Sequence, residues 1–281
     1  MRFWVPLISL PPDEYGPIAE AADRLGFAGV LLADHVAVPE TFASVHPSGE
    51  NPFTAASDFP DPVTMIATLA ARTRRLRFMT YAYILPLRDP FTVAKQFGTL
   101  ATVTGGRVAL GCAVGWLREE FEILGRDFGT RGARTDEILT VLRDFWDDGR
   151  AEHDGKFHGF PRSGMFPVPR HQVPILVGGS GRRALERAAR HDGWLGMNHD
   201  LDDIERIVAS VTRLREDLAD PDAPFTVFAI ANAAPVAATF ERLRATGVTD
   251  TMAAAWTVGS PDAETLDEKI AGLERFAAQH L

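Results

Sequence analysis

Apolar positions alternate between two rhythms along the chain: short unbroken runs, and longer stretches where apolar side chains recur every three or four residues. Phe3 to Ser9 predicts a first strand, Gly29 to Ala33 a second, Leu76 to Tyr83 a third and Val108 to Ala113 a fourth. Between them, Asp13 to Leu25 sets Tyr15, Ile18, Ala22 and Leu25 on one helical face and stops at Gly26. Asp61-Pro62 and Asp89-Pro90 each join a capping side chain to a first-turn proline. They open helices carrying Met65, Ile66 and Leu69, then Val93, Phe97 and Leu100, the second ended by Gly105-Gly106. A longer helical region closes on Ile138, Leu139, Leu142, Phe145 and Trp146. The second half repeats the scheme. Strands are expected at Pro174 to Val177, Gly193 to Met197, Phe225 to Ala231 and Thr251 to Trp256. Helices are expected at Arg182 to Arg190, Asp202 to Leu218, Pro235 to Ala245 and after a Ser260-Pro261 cap.

Strands separated by helices must pair in parallel through right-handed crossovers. Eight such units fit a closed (β/α)8 TIM barrel of class α/β, formed by residues 1–281 as one domain. A doubly wound open sheet is the alternative. Two segments break the rhythm. Val36 to Pro60, after the second strand, carries Phe42, His46, Phe53 and Phe59 among Pro, Gly and Ser and reads as a cover for the barrel mouth. Gly149 to Val173, before the fifth strand, contains Asp154-Gly155, a two-residue hairpin signal, and reads either as a second cover or as a surface insertion.

Composition narrows the function. With 29 Lys+Arg against 38 Asp+Glu the formal net charge is −9, a surface that repels phosphate backbones and anionic membranes. The single cysteine, Cys112, excludes an internal disulfide and a CxxC metal site, which suits a reducing cytoplasm. No apolar run reaches bilayer-spanning length, and Met1 to Leu10 reads as a buried strand rather than a secretory signal.

Catalytic groups of such barrels sit at the C-terminal ends of strands. The second strand ends in Ala33-Asp34-His35, a neutral-range titrating group beside a carboxylate. His35 is either a catalytic residue or a hydrogen-bonded structural one, and Asp34 either orients it or caps the following segment. No metal-ligand spacing involves His46, His153, His158 or His171, and no nucleophile elbow is present. Gly178-Gly179-Ser180-Gly181 leaves a strand and opens a helix, as in anion-binding turns and also in plain strand-to-helix turns. Arg182 and Arg183 follow at once, where cations oppose the helix dipole unless an anion accompanies them. Gly111 to Gly115 is small along a whole strand, either for tight packing or for a flat ring lying against it.

The chain resembles the bacterial luciferase-like superfamily, and within it the deazaflavin-dependent oxidoreductases. The matching stretches are Arg24 to Phe27, Ala33-Asp34-His35, Leu85 to Arg88 with Asp89-Pro90, Gly105-Gly106-Arg107, Gly111 to Phe121, and Pro174 to Gly181 with Asp192-Gly193-Trp194. They run in order over nearly the whole chain. The resemblance implies a flavin or deazaflavin at the C-terminal mouth, and a bulge with a non-prolyl cis peptide at Tyr81-Ala82, beside Thr80, backing the ring. It implies a ring passing along Cys112, Ala113 and Val114, a phosphate at Gly178 to Gly181, and His35 facing the reactive edge with Asp34 beside it. Trp116 stands where sugar-phosphate dehydrogenases of the superfamily carry a proton-donating glutamate, so their substrate and mechanism do not transfer. Arg88-Asp89-Pro90 likewise replaces the typical Arg-His-Pro. The resulting expectation is an oxidoreductase moving hydride between reduced coenzyme F420 and a small organic substrate, apolar or aromatic given Phe42, Phe53, Phe59 and Trp116, with no metal and room for a homodimer. An FMN-dependent monooxygenase using oxygen is the alternative, and a flavin-binding protein without turnover a second.

Overall fold

The computed structural model describes residues 1–49, 51, 53–253, 255–256 and 265–281. Among them, eight parallel staves close a barrel. β1 (Arg2–Pro6), β2 (Gly29–Leu32) and β3 (Arg77–Thr80) stand side by side. The next stave is shared in height. β3 pairs with β5 (Val108–Ala113) low in the wall, through Phe78 and Met79. The two-residue β4 (Tyr83–Ile84) then takes over, facing Cys112 and Ala113. Tyr81-Ala82, a non-prolyl cis peptide, lies between β3 and β4, where the resemblance placed it. The expected continuous third strand is thus broken, its upper end shifted along the wall.

β6 (Arg150–Asp154) and β7 (Gly159–Gly164) form a hairpin outside the barrel. β8 (Ile175–Gly178), β9 (Gly193–His199), β10 (Thr226–Ala231) and β11 (Asp250–Met252) complete the circle back to β1. At that closing seam the Asp250 carboxylate receives Arg2 through two nitrogens and the Trp4 indole N–H at 2.7 Å. The outer layer holds α1 (Tyr15–Leu25), α2 (Pro62–Arg72), α3 (Pro90–Thr104), the short α4 (Arg118–Ile123), α5 (Arg131–Asp148), α6 (Arg182–Ala189), α7 (Leu201–Leu218), α8 (Ala237–Thr246) and α9 (Leu266–His280).

The helix starts follow the expected chemistry. Asp61 accepts the Thr64 amide and Asp89 the Thr92 amide, both at 2.8 Å, each with proline in the first turn. The Ser260-Pro261 cap expected for the last helix lies outside the described residues. α9 begins instead with a capping box between Thr265 and Glu268. The hairpin differs from expectation too. Asp154 pairs with Gly159, so the connection has four residues rather than two. The reason is Glu137 of α5, whose carboxylate accepts the amides of Lys156, Phe157 and His158 and shapes the wider turn.

Strand alternation separates two cores. Trp4, Leu31, Met79, Ala109, Leu176, Leu195 and Phe228 fill the barrel interior. Val108, Leu110 and Cys112, alternating with Ala109 on the same strand, face the larger core beneath the helices. Each buried Leu, Val or Phe contributes about 1.5–3 kcal/mol relative to exposure. Gly111 marks the tightest point of the wall, since a Cβ there would collide with the Thr80 carbonyl oxygen.

Candidate active site

β2 delivers Asp34 and His35 to the C-terminal mouth, and the two side chains take separate partners. His35 Nδ1 lies 2.8 Å from Glu120 Oε2, with the Glu120 side chain fully buried and His35 at 7% exposure. Glu120 Oε1 accepts the amides of Val36 at 2.6 Å and Ala37 at 3.2 Å. Among the described residues nothing bonds to His35 Nε2. Around the ring stand Phe53 and Phe59, each 4.8 Å away between centroids, and Trp116 at 6.1 Å. His46 packs edge-on against Trp116 at 5.0 Å; burial and the neighbouring His35 hold its imidazole below the ordinary histidine range. The described residues of the 36–60 segment therefore lie over His35 and pack an aromatic cluster around it at the mouth.

The expected role of Asp34 is corrected by this arrangement. Its Oδ2 accepts the Ile84 amide at 2.8 Å and its Oδ1 receives Arg88 Nη2 at 2.6 Å. Arg88 also donates to the Tyr83 hydroxyl and lies over the Tyr83 ring. Both Asp34 oxygens are thus engaged with β4 and its following turn, and neither bonds to His35. Burial raises its pKa against the opposing pull of Arg88 and the Ile84 amide.

The expected ring-contacting residues divide the same way. Tyr81, Ala82, Ala113 and Val114 are half-buried at the mouth, with the Tyr81 hydroxyl donating to the Gly196 carbonyl at 2.8 Å. Thr80 is fully buried and its hydroxyl exchanges hydrogen bonds with Gly111, donating to the carbonyl at 2.8 Å and accepting from the amide at 3.1 Å. Cys112 points into the core beneath the helices, where burial pushes its thiol up to about 12. Neither Thr80 nor Cys112 presents a side chain to the mouth, because their alternation along the wall sends them elsewhere.

Gly178 to Gly181 forms the mouth's polar rim. Gly179 sits at φ +113°, a conformation open to glycine, and Trp194 Nε1 donates to its carbonyl at 2.9 Å. Ser180 and Gly181 are exposed, and no side chain caps the α6 N-terminus. The Ala184 amide already bonds the Gly181 carbonyl at 2.9 Å, which leaves the Arg182 and Arg183 amides, with the glycine turn before them, as the donor set that fits a phosphate. Arg182 is 88% exposed and pairs with Glu186 at 2.8 Å; Arg183 is exposed. Arg187, farther along the helix, is buried and grips Asp136 of α5, so the helix is not a uniformly solvated basic face.

Glu120 is the functional residue that sequence reasoning missed. It lies within the matched Gly111 to Phe121 stretch, four positions after Trp116, and the available signal was its place in the first turn of a helix just past the fourth expected strand. Among the described residues no cluster of His, Cys, Asp or Glu is arranged to hold a metal ion, and no helix is long and apolar enough to cross a membrane.

Comparison with known proteins agrees with this architecture. The family model described as luciferase-like monooxygenase matches residues 8–279. An uncharacterized protein of Mycobacterium tuberculosis is 38% identical over 269 residues, covering 94% of this chain and 93% of its own length. The monooxygenase RslO1 of Streptomyces bottropensis superposes with a TM-score of 0.79 at 21% identity, over 100% of this chain and 98% of that one. The coenzyme F420-dependent tetrahydromethanopterin reductase of Methanopyrus kandleri does so with a TM-score of 0.74 at 14% identity, over 99% of each. With the barrel, the cis-peptide bulge and the sequence match in agreement, the chain belongs to the luciferase-like monooxygenase family, whose members are oxidoreductases and monooxygenases.

Proposed function

We propose that this protein transfers hydride between reduced coenzyme F420 and a small apolar or aromatic organic substrate, with His35 supplying or holding the proton. The observation that carries the reading is His35 itself: gripped at Nδ1 by a buried carboxylate, with nothing bonded to Nε2 among the described residues, and surrounded by Phe53, Phe59 and Trp116. When bound, the deazaflavin supplies the hydride. Gly178 to Gly181 and the first turn of α6 would hold its phosphate, and Tyr81, Ala82, Ala113 and Val114 would flank its ring. For reduction of a polarised double bond, hydride reaches carbon and the His35 Nε2 proton reaches the heteroatom, leaving a neutral imidazole with its remaining proton on Nδ1. The aromatic wall excludes water from that transfer. The fold likeness to an F420-dependent reductase supports this reading.

A second reading, an FMN-dependent monooxygenase consuming oxygen, is favoured by the likeness to RslO1 and by the Arg182–Glu186 pair, which diverts one of two charges available to an anionic coenzyme tail. Parallel binding titrations of F420 and FMN separate the two. The proposal expects tighter F420 binding and F420-dependent turnover that falls by on the order of 10²–10⁴ in His35→Ala, with cofactor affinity little changed. Tighter FMN binding with oxygen-dependent turnover moves the second reading into its place.

A further inference from the structure

We infer that Glu120 is the positioning residue of this site: one buried carboxylate sets the proton of His35 on Nδ1 and seats the root of the covering segment, so that aiming the imidazole and closing the mouth are one event. This deepens the hydride-transfer reading and takes its chemical meaning from it.

The geometry divides the carboxylate between two tasks. Oε1 accepts the Val36 and Ala37 amides, which can only donate. Those two bonds fix the carboxylate in place. Oε2 is then held against His35 Nδ1 at 2.8 Å. An ionised carboxylate is an acceptor at both oxygens, so this contact selects the tautomer with hydrogen on Nδ1. Nε2 is left as the atom that exchanges protons with a bound substrate. Because the amides belong to the two residues following His35, the segment cannot lift at its root without releasing the carboxylate that aims the ring. Glu119, next on the same turn of α4, repeats the arrangement farther along: its Oε1 accepts the Ala43 amide at 2.8 Å and the Ser44 amide at 3.2 Å, while the Ser44 hydroxyl accepts the Arg118 amide. α4 therefore holds the covering segment at two places, and the hold nearer the root also carries the histidine.

Glutamine at position 120 separates the tasks. The Val36 and Ala37 amides require an acceptor, so they retain the glutamine oxygen and turn its NH2 toward His35 Nδ1, which must then accept. Glu120→Gln is expected to move the imidazole proton from Nδ1 to Nε2 while leaving the segment seated; Glu120→Ala is expected to lose both. Nitrogen-15 NMR of the histidine side chains in the cofactor-free protein at about pH 8.5, where an ordinary imidazole is neutral, reads the proton position, with His35→Gln assigning the signal. Hydrogen exchange at Val36 and Ala37 reads the seating. A bare Nδ1 in the wild type, or an unchanged proton position in Glu120→Gln, overturns the assignment. Wild-type protection of Val36 and Ala37 in Glu120→Ala overturns the coupling. If the alanine variant does not fold, the glutamine variant still decides the proton position. In turnover, Glu120→Gln is expected to lower kcat while KM holds, and an unchanged kcat removes the residue from the mechanism. Neither NMR nor exchange needs a cofactor, so failure of the F420 reading leaves these measurements free to stand or fall separately.

Discussion

Asp34 and His35 adjoin in sequence but leave the end of β2 for different neighbours, one for Arg88 and the Ile84 amide, the other for Glu120. Consecutive residues of an extended chain point to opposite sides, which is why sequence adjacency gave the wrong orienting partner for the histidine. No local spacing joins position 35 to position 120; only barrel closure brings them together. Removing Arg88 would leave the Asp34 carboxylate, 1% exposed, with one amide as its sole donor. Arg88→Ala is expected to destabilise the protein by about 3–5 kcal/mol, the cost typical of stranding one member of a buried pair. Denaturant unfolding measures it, and a loss under about 1 kcal/mol would show that the carboxylate finds water or protonates at little expense.

At the scale of elements, the strand-helix alternation and the Asp-Pro helix starts were legible because each is a local signal repeated many times. The four-residue hairpin turn and the seating of the 36–60 segment were not, since each depends on a residue distant in sequence: Glu137, and the Glu119-Glu120 pair. Burial opposes the Glu119 charge, but the Ser44 side chain and the amides of Ala43 and Ser44 outweigh it and hold that carboxyl below its ordinary value. A depressed carboxyl contributes stability above its unfolded pKa of about 4.3 and loses that contribution as pH falls through the lower folded value. The Ala43 and Ser44 amides are therefore expected to lose exchange protection as pH falls through that lowered value, once intrinsic rates are allowed for. Glu119→Gln should lack that step. An identical acid step in both proteins would place its origin elsewhere.

For the molecule as a whole, charge sets the terms of cofactor choice. The chain carries a net −9, yet the exposed start of α6 bears Arg182 and Arg183 at the edge of the glycine turn. An F420 tail continues past its phosphate as an anion, whereas FMN ends there. Replacing both arginines by alanine is expected to weaken F420 binding several-fold at low salt and FMN binding less, with the difference shrinking as the Debye length contracts from about 30 Å at 0.01 M to about 8 Å at 0.15 M. Equal losses for the two cofactors would remove the tail from the argument. The barrel and the glycine rim were legible at this scale because eight repeated units leave few topologies. The ring-facing residues were only partly so, because a matched stretch does not say which side of the wall each side chain takes, as Thr80 and Cys112 illustrate.

The covering segment has one more consequence. Its seating on Glu119 and Glu120 runs through the backbone amides of Val36, Ala37, Ala43 and Ser44, with the Ser44 hydroxyl as the one side-chain contribution described, so the clamp asks little of the other side chains along the segment. A side chain such as Phe42, which packs against Trp116, can therefore be exchanged, and with it the shape and polarity of the aromatic cover, without dismantling the hold that seats it. The two glutamates thus separate an exchangeable lining from a fixed mechanical frame: the face that meets a small molecule can change while the part that holds it in place does not.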